Sequence, residues 1–210
     1  WLHARVYRDG NIYEMRFERG RVTSPLASRE ESIEELIARY QEWYGSRPAF
    51  RGSDRAEFLQ KFGNRLSGTL ITFAPDETIF ETVRFDYDIL AHRLRELAFL
   101  NAGISISLLD ERTGDREKFH YEGGIAEYVR FLNTGAEPLH PDVISLKKND
   151  PESMTEIEVA LQYTTGYSEQ IFSYVNSVNT REGGTHLEGF RSAITKAVNN
   201  SARKNNLIRE

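Results

Sequence analysis

Two runs of alternating apolar and polar residues open the chain, Leu2-His3-Ala4-Arg5-Val6-Tyr7 and Asn11-Ile12-Tyr13-Glu14-Met15-Arg16-Phe17, separated by Arg8-Asp9-Gly10. Period-two alternation predicts strands, and an Asp-Gly pair between them predicts a tight hairpin. Arg19-Gly20 is expected to end the second strand, with Ser24-Pro25 opening a different kind of segment. From Ser28 to Tyr44 the period turns helical, with Ile33, Leu36, Ile37, Tyr40 and Tyr44 on one face. Two capping-box patterns, Ser28 with Glu31 and Ser32 with Glu35, leave the start of that helix open by about one turn. A loop around Pro48 and a shorter helix over 54–62, with Phe58, Leu59 and Phe62 as its apolar side, complete a helical insertion expected over residues 27–66.

Strand character returns at Gly68-Thr69-Leu70-Ile71-Thr72-Phe73 and stops at Pro75-Asp76. Residues 87–101 predict a helix, with Leu90, Leu94, Leu97 and Asn101 in one row and Gly103 just past the end. The runs 104–109 and 117–121 predict a hairpin across Thr113-Gly114-Asp115. Gly123-Gly124 then opens a short amphipathic helix with Ile125, Tyr128, Val129 and Leu132 inward, after which Gly135, Pro138 and Pro141 break the chain. A domain junction is expected near Gly123. Strands are expected over 142–147, 156–165 and 168–175, the last two joined by a tight turn at Thr165-Gly166, and a final helix over 185–204 should bury Leu187, Phe190, Ile194, Ala197 and Val198. The order of elements describes a mixed α+β chain in two parts.

At 210 residues the chain has room for one large or two modest domains. A mean hydropathy of -0.55, with no apolar run near 18 residues, argues against a spanning helix, and 39% hydrophobic residues argue against a disordered chain. The net charge of -5 confines any nucleic-acid contact to a local basic patch. The absence of cysteine removes disulfides, thiolate metal sites and cysteine nucleophiles, and suits a reducing compartment. Beginning at Trp1-Leu2-His3, without an initiator Met or a signal-peptide pattern, the chain reads as a piece of something longer.

Several enzyme signatures are absent from the sequence: GxxxxGK(S/T), GxGxxG after a strand, GxSxG and HExxH. His3, His92, His120, His140 and His186 are scattered, with no pair at i, i+4, so no zinc site is expected. Glu30, Glu31, Glu34 and Glu35 complement the start of a helix and read as a solvated face. Gly183-Gly184 before Thr185 exposes backbone N–H groups in the manner of a generic anion site, but paired glycines also serve a tight turn into a helix, and the structural reading is preferred. The last helix carries Arg191, Lys196, Arg203 and Lys204. Lys196 and Arg203 share a face suited to a phosphate backbone, or simply to water.

Three segments carry a resemblance: Tyr87-Asp88-Ile89-Leu90-Ala91-His92-Arg93-Leu94-Arg95-Glu96-Leu97-Ala98-Phe99-Leu100-Asn101-Ala102-Gly103, then Phe119-His120-Tyr121-Glu122-Gly123-Gly124, then Glu182-Gly183-Gly184-Thr185-His186-Leu187-Glu188-Gly189-Phe190-Arg191. In this order they resemble the ATPase subunit of bacterial type IIA DNA topoisomerases, the B subunit of DNA gyrase or of topoisomerase IV. The opening hairpin fits as well, and residues 27–66 look like an insertion longer than the usual loop. The resemblance implies an α+β chain in which residues 1–122 are the C-terminal half of a GHKL-type ATP-binding domain. Residues 123–210 would be most of a transducer domain with a ribosomal-protein-S5-like α/β fold, truncated at its C-terminus. It further implies a cytoplasmic protein that uses ATP and Mg²⁺, dimerises with a second B subunit, works with a gyrase A-type cleavage subunit, and passes double-stranded DNA, with no membrane role.

Few site residues carry over. Thr69 matches the threonine that, with an acidic partner and a water, recognises the adenine amino group, and its hydroxyl both donates and accepts. Ile71 matches an apolar position near the adenine. Arg191 matches a transducer arginine facing the DNA-sized cavity of the dimer, and Lys196 is taken with it as a candidate DNA contact. No catalytic residue and no metal ligand is carried over. In the family the water-activating Glu, the Mg²⁺-holding Asn, the Asp-Gly-x-Gly motif and the phosphate lid lie upstream, and the lysine reaching the γ-phosphate lies downstream. This stretch alone is therefore expected not to hydrolyse ATP. Two other readings stay open: a standalone interaction module on the same scaffold, and an S5-like RNA binder.

Overall fold

The computed structural model describes residues 1–30 and 67–208, which fall into two compact units, Trp1–Asp86 and Tyr87–Glu210. In the first unit β1 (Leu2–Arg8), β2 (Asn11–Glu18), β3 (Arg21–Glu30) and β4 (Gly68–Phe73) form an antiparallel sheet in the order β3-β2-β1-β4. Both hairpins use two-residue turns with left-handed backbone throughout: Asp9 and Gly10 at φ 52° and 75°, Arg19 and Gly20 at 48° and 76°. This is the type I′ geometry, whose twist matches that of the strands.

The second of these turns corrects the sequence reading. Arg19-Gly20 does not end the sheet but reverses the chain into β3, so residues 27–30, expected to begin a helical insertion, are strand. Pro25 fits because β3 is an edge strand and its ladder is irregular there: the register shifts between Glu14 and Arg16, where Ala27 and Ser24 are their partners. The remainder of the expected helix to Tyr44, the loop around Pro48 and the helix over 54–62 lie outside the described residues.

Alternation gives the sheet two unlike faces. Leu2, Ala4 and Val6 stand opposite Phe17, Met15 and Tyr13 on one side and Phe73, Ile71 and Thr69 on the other, making an apolar face. His3, Arg5 and Tyr7, with Arg16, Glu14 and Ile12, make the opposite one, where Tyr7 and Ile12 are buried. Beyond β4 the chain is held by Asp76. Its carboxylate accepts the Thr78 N–H at 2.9 Å, the Thr78 hydroxyl at 2.6 Å and Arg19 Nε at 2.6 Å.

The second unit contains α1 (Tyr87–Leu100), β5 (Ser105–Leu109), β6 (Arg116–His120), α2 (Gly124–Leu132), β7 (Ile144–Asp150), β8 (Thr155–Leu161), β9 (Tyr174–Val175), β10 (Val178–Asn179) and α3 (Thr185–Lys204). Its core gathers Ala91 and Ala98 of α1 around Phe119 of β6, with Leu94, Ile106, Leu108 and Tyr121 packed against them. Phe99, 1% exposed, stacks on Tyr121 at 3.6 Å and on Tyr128 of α2 at 4.9 Å between ring centroids. Rings of this size bury the most apolar area per residue, so this stack locks α1 to α2. The packing of the described residues divides after Asp86, so α1 is packed with β5, β6 and α2.

Two further expectations change. The stretch 168–175 is not a strand pairing with 156–165: β8 pairs with β7, from Ile144 opposite Leu161 to Asp150 opposite Thr155, and only Tyr174–Val175 is strand, paired with β10. Tyr163 to Thr165 cannot join a hairpin because their backbone is taken by the 137–140 segment. Leu139 N donates to Tyr163 O at 2.8 Å, and Thr165 N to Glu137 O at 2.9 Å. The final helix forms over the expected residues, but among the described residues it buries none: Leu187, Phe190 and Ile194 are half-buried, while Ala197 and Val198 are exposed.

Candidate functional site

On β4, Thr69 and Ile71 project from the same face, two residues apart and so roughly 7 Å along the strand. Thr69 stands across the ladder from Val6, and Ile71 from Ala4. Both are exposed, Ile71 at 48%. The result is a hydroxyl, able to donate and to accept one hydrogen bond, beside an exposed apolar side chain. Among the described residues no group of three or more His, Asp or Glu is placed to hold a metal ion.

Arg191 and Lys196 lie on α3 but not together: five residues apart on a helix, they point about 140° from one another. Arg191 is engaged by two carboxylates, its Nη2 3.1 Å from Glu169 Oε1 and its Nη1 3.9 Å from Glu188 Oε1. All three side chains are half or more exposed, so these pairs are weak and exchangeable. Lys196 is exposed.

A further polar cluster lies in the second unit, and no local pattern in the sequence marks it. Glu96 of α1 is buried, 7% exposed; Tyr174 Oη of β9 donates to its Oε1 and Arg93 to its Oε2. Burial pushes this carboxyl up, but hydrogen bonds from Tyr174, Arg93 and Asn179 outweigh it and hold the group below the ordinary range. Burial, and then the bond to Glu96, push the Tyr174 phenol up. A Glu three residues after an Arg reads as a solvated helix pair, and nothing nearby in the chain reveals that a tyrosine 78 residues away closes over it.

The sequence matches the DNA gyrase B family model over residues 124–210. The whole chain is 37% identical to the DNA gyrase B protein of Thermotoga maritima over 216 aligned residues and 39% identical to that of Streptococcus pyogenes over 212, covering 29% and 27% of those proteins. It thus spans under a third of the length of the curated relatives it matches. The crystal structure of the 43K ATPase domain of Thermus thermophilus gyrase B, solved in complex with an aminocoumarin, is similar over 100% of this chain and 49% of that one, with 31% identity and a TM-score of 0.68. Similarity along the whole chain, in sequence and in fold, means that it belongs to the DNA gyrase B family of type IIA topoisomerase ATPase subunits.

Proposed function

We propose that residues 1–122 form the rear of a GHKL-type ATP-binding domain and residues 123–210 most of an S5-like transducer, within the B subunit of an ATP-dependent type IIA DNA topoisomerase. The observation that carries this reading is the apolar face of the first unit, with Thr69 and Ile71 exposed side by side on β4. An adenine lying along Ile71 would meet the Thr69 hydroxyl at its polar edge, a fit of donor, acceptor and apolar floor to a purine. ATP with Mg²⁺ supplies the phosphoryl chemistry. This chain's own contribution is to orient the base.

On the same reading Arg191 tracks the phosphates of a duplex held between two B subunits, Lys196 facing another side of α3, while a gyrase A-type subunit cleaves and reseals the duplex in the cytoplasm. Glu169 and Glu188 are weak partners that a phosphate displaces from Arg191.

The complete B subunit, combined with its cleavage subunit, tests this. ATP-dependent strand passage is expected, with Thr69→Ala weakening ATP binding about tenfold by loss of the adenine contact. The present chain alone is expected to give no Mg²⁺-dependent turnover at millimolar nucleotide. An unchanged ATP affinity in Thr69→Ala, or turnover by the chain alone, would overturn this division of labour.

A further inference from the structure

Glu96 is the one buried charged side chain among the described residues, and nothing in the proposed nucleotide or DNA contacts uses it. It stands on α1, yet apart from Arg93 its partners belong to the β9–β10 hairpin: Tyr174 on β9 and the Asn179 side chain on β10. Arg93 reaches the same hairpin, its Nη2 donating to the Ser177 carbonyl at 2.8 Å, and Asn101 Nδ2 lies 3.3 Å from Ser177 Oγ. α1 therefore grips the first strand of the hairpin and its turn.

The hairpin needs that grip. It has two residues per strand, too few for an isolated ribbon to be stable. Its turn holds Asn176 and Ser177 at φ 48° and 63°, a backbone that asparagine tolerates and serine disfavours. The hydrogen bonds from Arg93 and Asn101 fall on that disfavoured serine.

From the hairpin the polar contacts continue to α3. Thr180 N donates to Ser173 O at 2.8 Å and the two hydroxyls lie 2.6 Å apart; Gly183 N donates to Thr180 O at 2.8 Å. Thr180 Oγ1 is 3.3 Å from His186 Nε2, in the first turn of α3. The His186 ring lies over Gly184, where a Cβ would come within 2.8 Å of it. Arg191 stands on the second turn of that helix.

The geometry points to Glu96 as a positioning residue: with Arg93 it latches the β9–β10 hairpin to α1 and, through Thr180 and His186, sets the start of the helix that carries Arg191. This rests on the reading of α1 as nucleotide-domain helix and α3 as transducer helix, which makes the latch a link between ATP and DNA. A shared network of this kind is a coupling route only if breaking it changes the coupling.

The experiment uses Tyr174→Phe and Glu96→Gln in the complete B subunit with its cleavage subunit. Tyr174→Phe keeps the packed ring and deletes one donor, so folding is retained. ATP turnover without DNA is expected close to wild type, while strand passages per ATP fall about tenfold. In the present chain, amide exchange at Thr180, Leu187 and Glu188 should rise in both variants. An unchanged ratio of passages to ATP overturns the link, and so does a proportional loss of both activities, which marks mere structural damage. If the wild-type protein shows no ATP-dependent passage, the function proposed above fails instead. The exchange measurement then still decides the latch, which unchanged protection at Leu187 and Glu188 overturns.

Discussion

His140 Nε2 accepts the backbone N–H of Tyr163 at 3.1 Å, which places the ring proton on Nδ1, where it is donated to the Asp142 carbonyl at 2.6 Å. Gln162 ties the same loop down, its amide donating to the His140 carbonyl at 3.0 Å while Asn133 donates to its oxygen at 2.9 Å. The tautomer is directly observable. Nitrogen-15 shifts of the ring are expected to show a protonated Nδ1 and a bare Nε2, and His140→Ala should speed exchange of the Tyr163 amide. A dominant Nε2–H form would contradict the arrangement.

Glu96 gives a pH dependence with a definite sign. Its folded carboxyl sits below the 4.5 of the free side chain, so the unfolded chain takes up the proton first as pH drops. The stabilisation is complete above pH 4.5 and is lost as pH falls through the folded value. Glu96→Gln should lower unfolding free energy by about 2 kcal/mol at neutral pH, the worth of hydrogen bonds to a charged group, with the gap to wild type closing under acid. Urea midpoints from neutral pH down to about pH 3 measure it; a gap that widens under acid refutes the assignment.

Asp76 is the acidic anchor of the first unit. Hydrogen bonds from the Thr78 hydroxyl and N–H and from Arg19 hold its carboxyl at about 2, against 3.8 for the free group. The turn it organises is therefore intact above pH 3.8 and loosens as pH falls toward 2. Thr78→Val deletes the leading donor and should move the carboxyl back up toward 3.8 in a carbon-detected titration. No movement would mean that the hydroxyl does not set the value.

Glu169 and Arg191 make a prediction that depends on the proposed DNA contact. Glu169→Gln frees Arg191 of one carboxylate and should tighten duplex binding by the complete enzyme about two- to fivefold, the range for an exposed pair. Arg191→Gln should weaken binding and lower the slope of log affinity against log salt by about one unit. A salt slope unmoved by Arg191→Gln removes this residue from the phosphate contacts.

The parts of the fold legible in the sequence were those whose information is local. The alternation in β1 and β2, the Asp9-Gly10 turn, β4 and the helical rows of α1 and α3 all follow from neighbours a few residues apart. β3 escaped because Arg19-Gly20 punctuates a strand end equally well, and because Pro25 suggests a break unless the edge position and irregular register are known. The run Ile171-Phe172 looks like strand but has no partner in the 163–165 backbone, which already pairs with the 137–140 segment.

The candidate site was legible only through likeness. A strand threonine such as Thr69 carries no mark of a ligand until a family supplies one. Glu96 had no such mark either, since its hydrogen-bond donor Tyr174 lies 78 residues further along the chain.

β4 pairs with β1 and not with β3, the strand before it among the described residues. Thr69 is consequently registered against Val6 by a ladder of six residue pairs, from Leu2 opposite Phe73 to Tyr7 opposite Gly68, whatever length of chain joins Glu30 to Gly68. Closing a longer connection costs only about 0.6 kcal/mol per doubling. That stretch is accordingly a place where an engineer could graft a reporter domain while Thr69 stays registered against Val6.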